Sequence, residues 1–168
     1  MPKGRELLGL PLIDAVTGDR LGEVEDLVIN PGEQTVSGFL IDKGNWFRSA
    51  RKIPRSLVRS VSRESIKVEN PEAVALSEQE RLVSCLNGKP VKTIQAKLLG
   101  TVQDVVVDQE CREIAGFEIS DGLISDMVNG RVVIDQSSII TQSENAVVVK
   151  DVLEKIWSNQ STEGGLWT

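Results

Sequence analysis

Two stretches of the chain carry the same succession of apolar and turn-forming positions, one over residues 8–70 and the other over residues 86–151. In the first, Leu21-Gly22-Glu23-Val24-Glu25-Asp26 aligns with Leu99-Gly100-Thr101-Val102-Gln103-Asp104 of the second. Further on, Val36-Ser37-Gly38-Phe39-Leu40-Ile41 aligns with Ile114-Ala115-Gly116-Phe117-Glu118-Ile119. Repeated Gly spacing indicates repeated backbone geometry, because Gly tolerates positive φ and close backbone approach. We therefore interpret the chain as two tandem copies of one unit.

Each copy has the pattern of short β-strands separated by turn residues. The apolar positions change phase after Asp26 and Asp104, which predicts a β-bulge there, with each carboxylate accepting backbone N–H groups. Turn residues then interrupt both copies, so the following runs should return as antiparallel strands. The alternation in those strands predicts that four side chains face the core: Phe39, Ile41, Phe117 and Ile119.

Five or six short strands in about 65 residues suit a small closed barrel better than a sandwich. The predicted fold is therefore all-β: a first barrel at residues 6–70 and a second at 88–151. Residues 71–87 form a linker, where Ser77-Glu78-Gln79-Glu80 resembles a helix start and predicts a short helix. Residues 152–168 are predicted to form a short helix followed by a flexible tail, because apolar Val152, Leu153, Ile156 and Trp157 give way to Ser, Thr, Asn and Gly.

The composition is that of a soluble globular protein, with 40% hydrophobic and 26% charged residues among 168. The apolar runs are far shorter than the roughly 18 to 20 residues of a membrane-spanning helix, and the residues after Met1 do not have the pattern of a secretory signal. We therefore expect a cytoplasmic protein without a transmembrane segment.

The chain contains no histidine, which removes the commonest general base and metal ligand. Cys85 and Cys111 do not have the spacing of a metal site, and no phosphate-binding loop, dinucleotide fingerprint or serine elbow is present. A Cys111 nucleophile would need a lowered pKa, which Arg112 favours and Glu110 and Glu113 oppose. We expect no catalytic residues, no bound metal and no cofactor.

The two copies differ in net charge. Residues 1–70 hold 11 basic and 10 acidic side chains (+1), whereas residues 71–168 hold 8 and 15 (−7). Between Lys43 and Lys67 eight cations accompany only Glu64, next to two aromatic residues. This pattern predicts a partner-binding face, while a solvated rim is the alternative. The candidate partner-binding residues are Trp46, Phe47, Arg48, Arg51, Lys52, Arg55 and Arg59.

Several motifs resemble the PRC-barrel domain, the β-barrel of the cytoplasmic part of the photosynthetic reaction centre H subunit and of the C-terminal part of RimM ribosome maturation factors. In the first copy they are Leu7-Leu8-Gly9-Leu10-Pro11-Leu12, Gly18 to Ile29, Val36 to Asp42 and Asn45-Trp46-Phe47. In the second they are Leu99 to Val105 and Ile114 to Ser120. The resemblance implies two tandem barrels, and it carries no reaction.

The resemblance also implies an accessory part of a larger assembly, photosynthetic or otherwise membrane-associated. Our leading expectation is a bacterial non-catalytic scaffold or assembly factor that binds an unidentified protein. The alternative is an RNA- or ribosome-associated processing factor that uses the basic face of the first barrel. Peripheral attachment to a membrane is a further alternative for that face, and a small hydrolase is disfavoured because no nucleophile has a partner.

Overall fold

The computed structural model describes residues 1–46, 48–120, 131–143 and 145–150, with backbone only for Arg131 and Val132. The chain forms two compact units. Unit 1 contains Met1–Cys85 together with Val106–Ala115, and unit 2 contains Leu86–Val105 together with the described residues from Gly116 onward. The hairpin turn of the second copy therefore belongs to the same compact unit as the first copy.

Unit 1 begins with a short helix, α1 (Gly4–Leu7), and a 3-10 turn at Arg55–Leu57 joins two of its strands. Its strands form a sheet in the order β2-β1-β7-β6 and a second sheet in the order β8-β5-β4-β3-β9. The strands are β1 Pro11–Asp14, β2 Arg20–Glu23, β3 Asp26–Asn30, β4 Thr35–Asp42, β5 Arg51–Pro54, β6 Val58–Val61, β7 Ile66–Val68, β8 Val74–Ala75 and β9 Arg81–Leu82.

The five-stranded sheet of unit 1 is covered on both faces. Leu27, Phe39 and Ile53 lie opposite one another on β3, β4 and β5, and all three are buried in the apolar core. The next residues along these strands, Asp26, Leu40 and Lys52, form a row on the other face and are buried as well. Because side chains alternate between the faces of a strand, this second row needs a separate cover.

Residues of the linker supply that cover. The Ser84 N–H donates to the carboxylate of Asp26 at 3.3 and 3.4 Å, and Glu80 forms an ion pair with Lys52. The expected helix in residues 71–87 is therefore replaced by β8, β9 and a 3-10 turn at Val83–Cys85. The free edges of β5 and β3 pair with β8 and β9, which satisfies linker backbone groups that a helix would otherwise pair internally.

Unit 2 repeats the topology in one sheet, with the order β13-β12-β11-β10-β15-β14. Its long strand β11 occupies the places of β2 and β3, and the parallel pair β10 and β15 corresponds to β1 and β7. A 3-10 turn lies at Gln136–Ser138. The strands are β10 Pro90–Thr93, β11 Leu98–Val107, β12 Ile114–Ser120, β13 Arg131–Asp135, β14 Ile139–Gln142 and β15 Val147–Val149.

The repeated glycines and core residues confirm the tandem interpretation. A Cβ on Gly38 would lie 2.4 Å from the carbonyl oxygen of Ile53, and one on Gly116 would lie 2.2 Å from that of Ile134, so neighbouring strands approach too closely for a side chain. The expected core residues Phe39, Phe117 and Ile119 are buried. Ile41 is only half-buried. The pairing of β4 with β5 shifts register between Leu40 and Asp42, so Ile41 does not follow the alternation of inward and outward side chains.

The aspartates at the phase change have the expected structural role. Each accepts the N–H of the following residue at 2.8 Å, Leu27 for Asp26 and Val105 for Asp104. In the first copy the strand is interrupted at this place, between β2 and β3. In the second copy the strand is continuous and forms β11. The prediction for the C-terminal segment 152–168 lies outside the described residues, as does the turn expected at 123–128.

Unit 1 also joins segments of the two sequence copies. Arg81 and Leu82, which precede the second copy, pair with Ile29 and Val28 on β3. In the corresponding segment before the first copy, Lys3 forms an isolated antiparallel β-bridge with Val106 of the second copy. The Val107 N–H donates to the carbonyl of Pro2 at 3.0 Å. Within unit 1, the leading segment of each sequence copy therefore pairs with a strand segment of the other copy.

Candidate partner-binding site

The loop between β4 and β5 is held in a defined conformation. Asp42, the last residue of β4, accepts the Gly44 N–H at 2.8 Å and forms an ion pair with Arg48. Asn45 and Arg48 exchange two backbone hydrogen bonds, of 2.8 and 3.2 Å. Gly44 has φ +72°, and a Cβ there would lie 2.3 Å from the Arg48 carbonyl oxygen. We refer to residues 42–48 as the aromatic turn.

Trp46 lies at the tip of the aromatic turn and is 95% exposed. The two hydrogen bonds between Asn45 and Arg48 fix the chain on either side of it. An indole held this far into solvent contributes nothing to the core, and indoles are among the side chains that dominate protein interfaces. Phe47, the second aromatic residue of the predicted site, lies outside the described residues.

Three cations of the predicted site are exposed, and each has a partner within unit 1. Arg48 pairs with Asp42, Arg51 donates to the carbonyl of Ala73, and Arg59 lies 3.3 Å from a carboxylate oxygen of Glu69. Arg51 is on β5 and Arg59 is on β6, which belong to different sheets. The basic stretch of the sequence is therefore divided among separate places on unit 1, and its charge is partly neutralised there.

Lys52 is a correction to the predicted site. It lies in the outer row of β5, its side chain is 8% exposed, and it pairs with Glu80, which is 9% exposed. Burial opposes ionisation of Glu80, but hydrogen bonds from Lys52, the Ser77 N–H and Ser37 outweigh it, so the pKa of this carboxyl lies below its ordinary value. Lys52 is therefore a structural residue that attaches the linker to the barrel.

Arg55 is a second correction. Its guanidinium is buried and donates to backbone carbonyls: Nε lies 2.9 Å from the oxygens of both Glu110 and Cys111, Nη2 lies 2.5 Å from that of Glu110, and Nη1 lies 3.0 Å from that of Val58. Burial, followed by the charge of Arg112, lowers the pKa of Arg55. Arg55 thus fixes the turn at residues 108–113, and a partner cannot reach it.

Cys111 does not have the properties of a nucleophile. The residue is fully buried, has φ +54° and accepts the Arg55 hydrogen bond through its carbonyl. Burial, and after it the charge of Asp108, raises the pKa of the Cys111 thiol to about 11, which keeps it protonated at neutral pH. A thiol that is buried and protonated is a poor attacking group.

Sequence reasoning missed the acidic partners that decide which cations are available. Asp42 precedes Gly44 by two residues, a spacing typical of a carboxylate-capped turn, and this signal could have identified the base of the aromatic turn. Glu80 was assigned to a helix start, and no local pattern connects it with Lys52, 28 residues earlier.

The described parts of the chain contain no cluster of three or more His, Cys, Asp or Glu side chains placed to hold a metal ion. None of the helices in these parts is long and apolar enough to cross a membrane.

The family model of the PRC-barrel domain matches twice, at residues 3–74 and 78–155. No curated protein matches the chain significantly. The two matched segments together include most of the chain and follow the two copies found in the sequence.

Proposed function

The chain belongs to the PRC-barrel family, and from that premise we propose that it is a non-catalytic protein-binding factor that contributes to the assembly or regulation of a larger complex. The observation that carries the proposal is Trp46, 95% exposed on a turn that backbone hydrogen bonds and an ion pair hold in place. Because the backbone of this turn is already ordered, little backbone conformational entropy is lost when a partner buries the aromatic side chain.

The charges around the aromatic turn favour a protein partner over RNA. Arg48, Arg51 and Arg59 already have acceptors within the chain, so phosphate groups would have to compete with Asp42, Ala73 and Glu69 for them. The net charge of −6 also repels a polyanion at long range. A protein that offers an apolar pocket for Trp46 is not a polyanion and needs none of these cations, so it meets neither obstacle.

The proposal also covers where the protein is located and whether it has enzymatic activity. We place the protein in the bacterial cytoplasm, next to a membrane-associated assembly. The proposal of no enzymatic activity is supported by the protonated, buried thiol of Cys111 and by the absence of histidine. It would be overturned by turnover that depends on a residue of this chain.

The test uses the full chain as bait in a lysate of the source organism, with bound proteins and RNA identified together. Trp46→Ala should weaken binding of the true partner at least tenfold, since central aromatic anchors contribute most to interfaces. The matched control is Val16→Ala, which truncates another exposed apolar side chain, 80% exposed, on a different turn of unit 1. It should leave binding unchanged.

RNA would give a different result. Capture of RNA that is lost steeply with added salt, and is equal for wild type and Trp46→Ala, would replace the scaffold proposal with the RNA-associated alternative. Retention of the protein partner by Trp46→Ala at wild-type affinity would also contradict the proposal. Both variants change exposed positions, so their thermal unfolding should match that of the wild type.

A further inference from the structure

The hairpin that joins β10 to β11 in unit 2 has an ordered tip. Lys92 on β10 pairs with Leu98 on β11. Beyond this pair the Thr93 N–H donates to the carbonyl of Lys97 and the Ala96 N–H donates to that of Thr93, both at 2.9 Å. The Lys97 N–H also donates to the Thr93 hydroxyl at 3.2 Å. The tip is therefore a tight turn with an ordered backbone.

Aliphatic side chains are exposed at this tip. Ile94, at the first corner of the turn, is 62% exposed, and Leu98, where β11 begins, is 56% exposed. The segment 81–103 contains no aromatic residue, so the hairpin has no side chain on which a nucleic acid base could stack. Two exposed branched aliphatic groups on one turn instead suit insertion among acyl chains.

The charges of the same segment distinguish it from the rest of this acidic chain. Residues 81–103 contain Arg81, Lys89, Lys92 and Lys97 and no Asp or Glu. Lys92 lies on β10 and Lys97 directly precedes β11, so the two lysines flank the tip. A protein of net charge −6 can approach an anionic surface most closely through a segment without carboxylates.

We propose that the β10–β11 hairpin docks unit 2 on an anionic lipid bilayer, with Ile94 and Leu98 inserted at the interface and Lys92 and Lys97 at the level of the phosphates. Partitioning of such sites grows with inserted apolar area and with attraction to anionic lipid. This surface is separate from the aromatic turn and does not depend on the protein partner of that turn.

The first copy contains a natural counterpart that should not bind. Its hairpin between β1 and β2 exposes Val16 to 80%, but Asp14 and Asp19 flank this tip, at the positions that Thr93 and Lys97 occupy in the second copy. Asp14 accepts the N–H groups of Val16 and Thr17 at 2.8 and 3.2 Å, so its carboxylate lies at the tip itself. An anionic surface would repel this turn.

The experiment measures sedimentation of the full chain with vesicles of phosphatidylcholine alone and of phosphatidylcholine with 30% phosphatidylglycerol. Wild type should bind the anionic vesicles and not the neutral ones. Ile94→Ser/Leu98→Ser should lower partitioning at least tenfold, and Lys92→Gln/Lys97→Gln should lower it about fivefold per lysine removed. Ile94→Leu/Leu98→Ile should bind as wild type, and Val16→Ser should have no effect.

Three results would overturn the proposal: no binding to anionic vesicles, equal binding by the serine variant, or equal loss with Val16→Ser. Retention of single-stranded RNA that depends on Lys92 and Lys97 but not on Ile94 and Leu98, without vesicle binding, would assign the hairpin to nucleic acid instead. The substituted side chains are largely exposed or at the surface, and circular dichroism together with the unfolding midpoint should show that the variants keep the wild-type fold.

Discussion

Breaking the ion pair between Lys52 and Glu80 should strongly destabilise unit 1, because the pair joins β5 to the linker at a place that is nearly closed to solvent. Both side chains are less than one-tenth exposed. Removing one partner leaves the other charge buried without compensation, which typically costs about 3–5 kcal/mol. We therefore expect Lys52→Met or Glu80→Gln to lower the free energy of unfolding by about this amount, enough to be a large part of the stability of a small domain.

Two comparisons separate the charge effect from lost packing. Replacing both partners, as in Lys52→Met/Glu80→Leu, removes the uncompensated charge and should restore most of the stability. The matched control is the pair of Arg59 and Glu69, which is 3.3 Å apart and more than half exposed on both sides. Arg59→Met should cost less than about 1 kcal/mol, since solvent screens exposed pairs.

The same pair predicts a pH dependence with a definite sign. The folded-state pKa of Glu80 lies below its ordinary value of 4.5, so the ionised carboxylate stabilises the fold above that pH. The contribution should disappear as pH falls below 4.5 and through the folded-state pKa. Urea unfolding between pH 3 and 7 measures this: wild type should lose stability below pH 4.5 more steeply than Glu80→Gln. Parallel curves, or a cost of less than about 1 kcal/mol for Lys52→Met, would refute the reasoning.

Two further predictions concern unit 2. Phe117→Ala removes a fully buried ring and should cost about 3–5 kcal/mol in chemical unfolding, whereas a cost of less than 1 kcal/mol would show that Phe117 is not a core residue. Ala96 has φ +65°, a conformation that costs a residue with a Cβ about 1 kcal/mol, so Ala96→Gly should raise the unfolding free energy by up to about that amount. A lower midpoint for Ala96→Gly would contradict the left-handed turn.

The sequence could predict those features of the fold that depend on the type of a single residue or on the pattern within a single strand. Gly38 and Gly116 are such residues, because only a missing Cβ allows the carbonyls of Ile53 and Ile134 to approach so closely. Phe39 and Phe117 follow from alternation within a single strand. The same alternation failed for Ile41, because the irregularity between β4 and β5 depends on the partner strand as well as on its own sequence.

The second buried row of unit 1 could not be predicted, since its cover comes from residues far along the chain. A lysine is normally solvent-facing, and Lys52 was assigned to the binding face as one of the cations of the basic stretch between Lys43 and Lys67. Its burial depends on Glu80, and that of Asp26 involves the Ser84 N–H. A pattern within one strand contains no information about such a cover.

The predicted binding site shows the same limit. The sequence drew attention to Trp46 because it lies beside a run of cations, and the structure leaves this side chain 95% exposed. The sequence overestimated the basic face, because counting charges treats every lysine and arginine as available. Of the five cations proposed, two are buried and three have acceptors within unit 1.

This distinction reverses the initial interpretation of the charges. The first half of the sequence is the more basic, at +1 against −7, yet the five cations proposed there hold neighbouring segments of the chain. The second half contains most of the excess acid, and it also includes residues 81–103, which have four cations and no carboxylate. Attraction of an anionic surface depends on the local excess of cations over carboxylates, because salt screens interactions beyond about 10 Å. The β10–β11 hairpin, with Lys92 and Lys97 at a tip whose own segment has no carboxylate, is therefore the surface that we propose for anion binding, and the aromatic turn is left to recognise its partner mainly through Trp46.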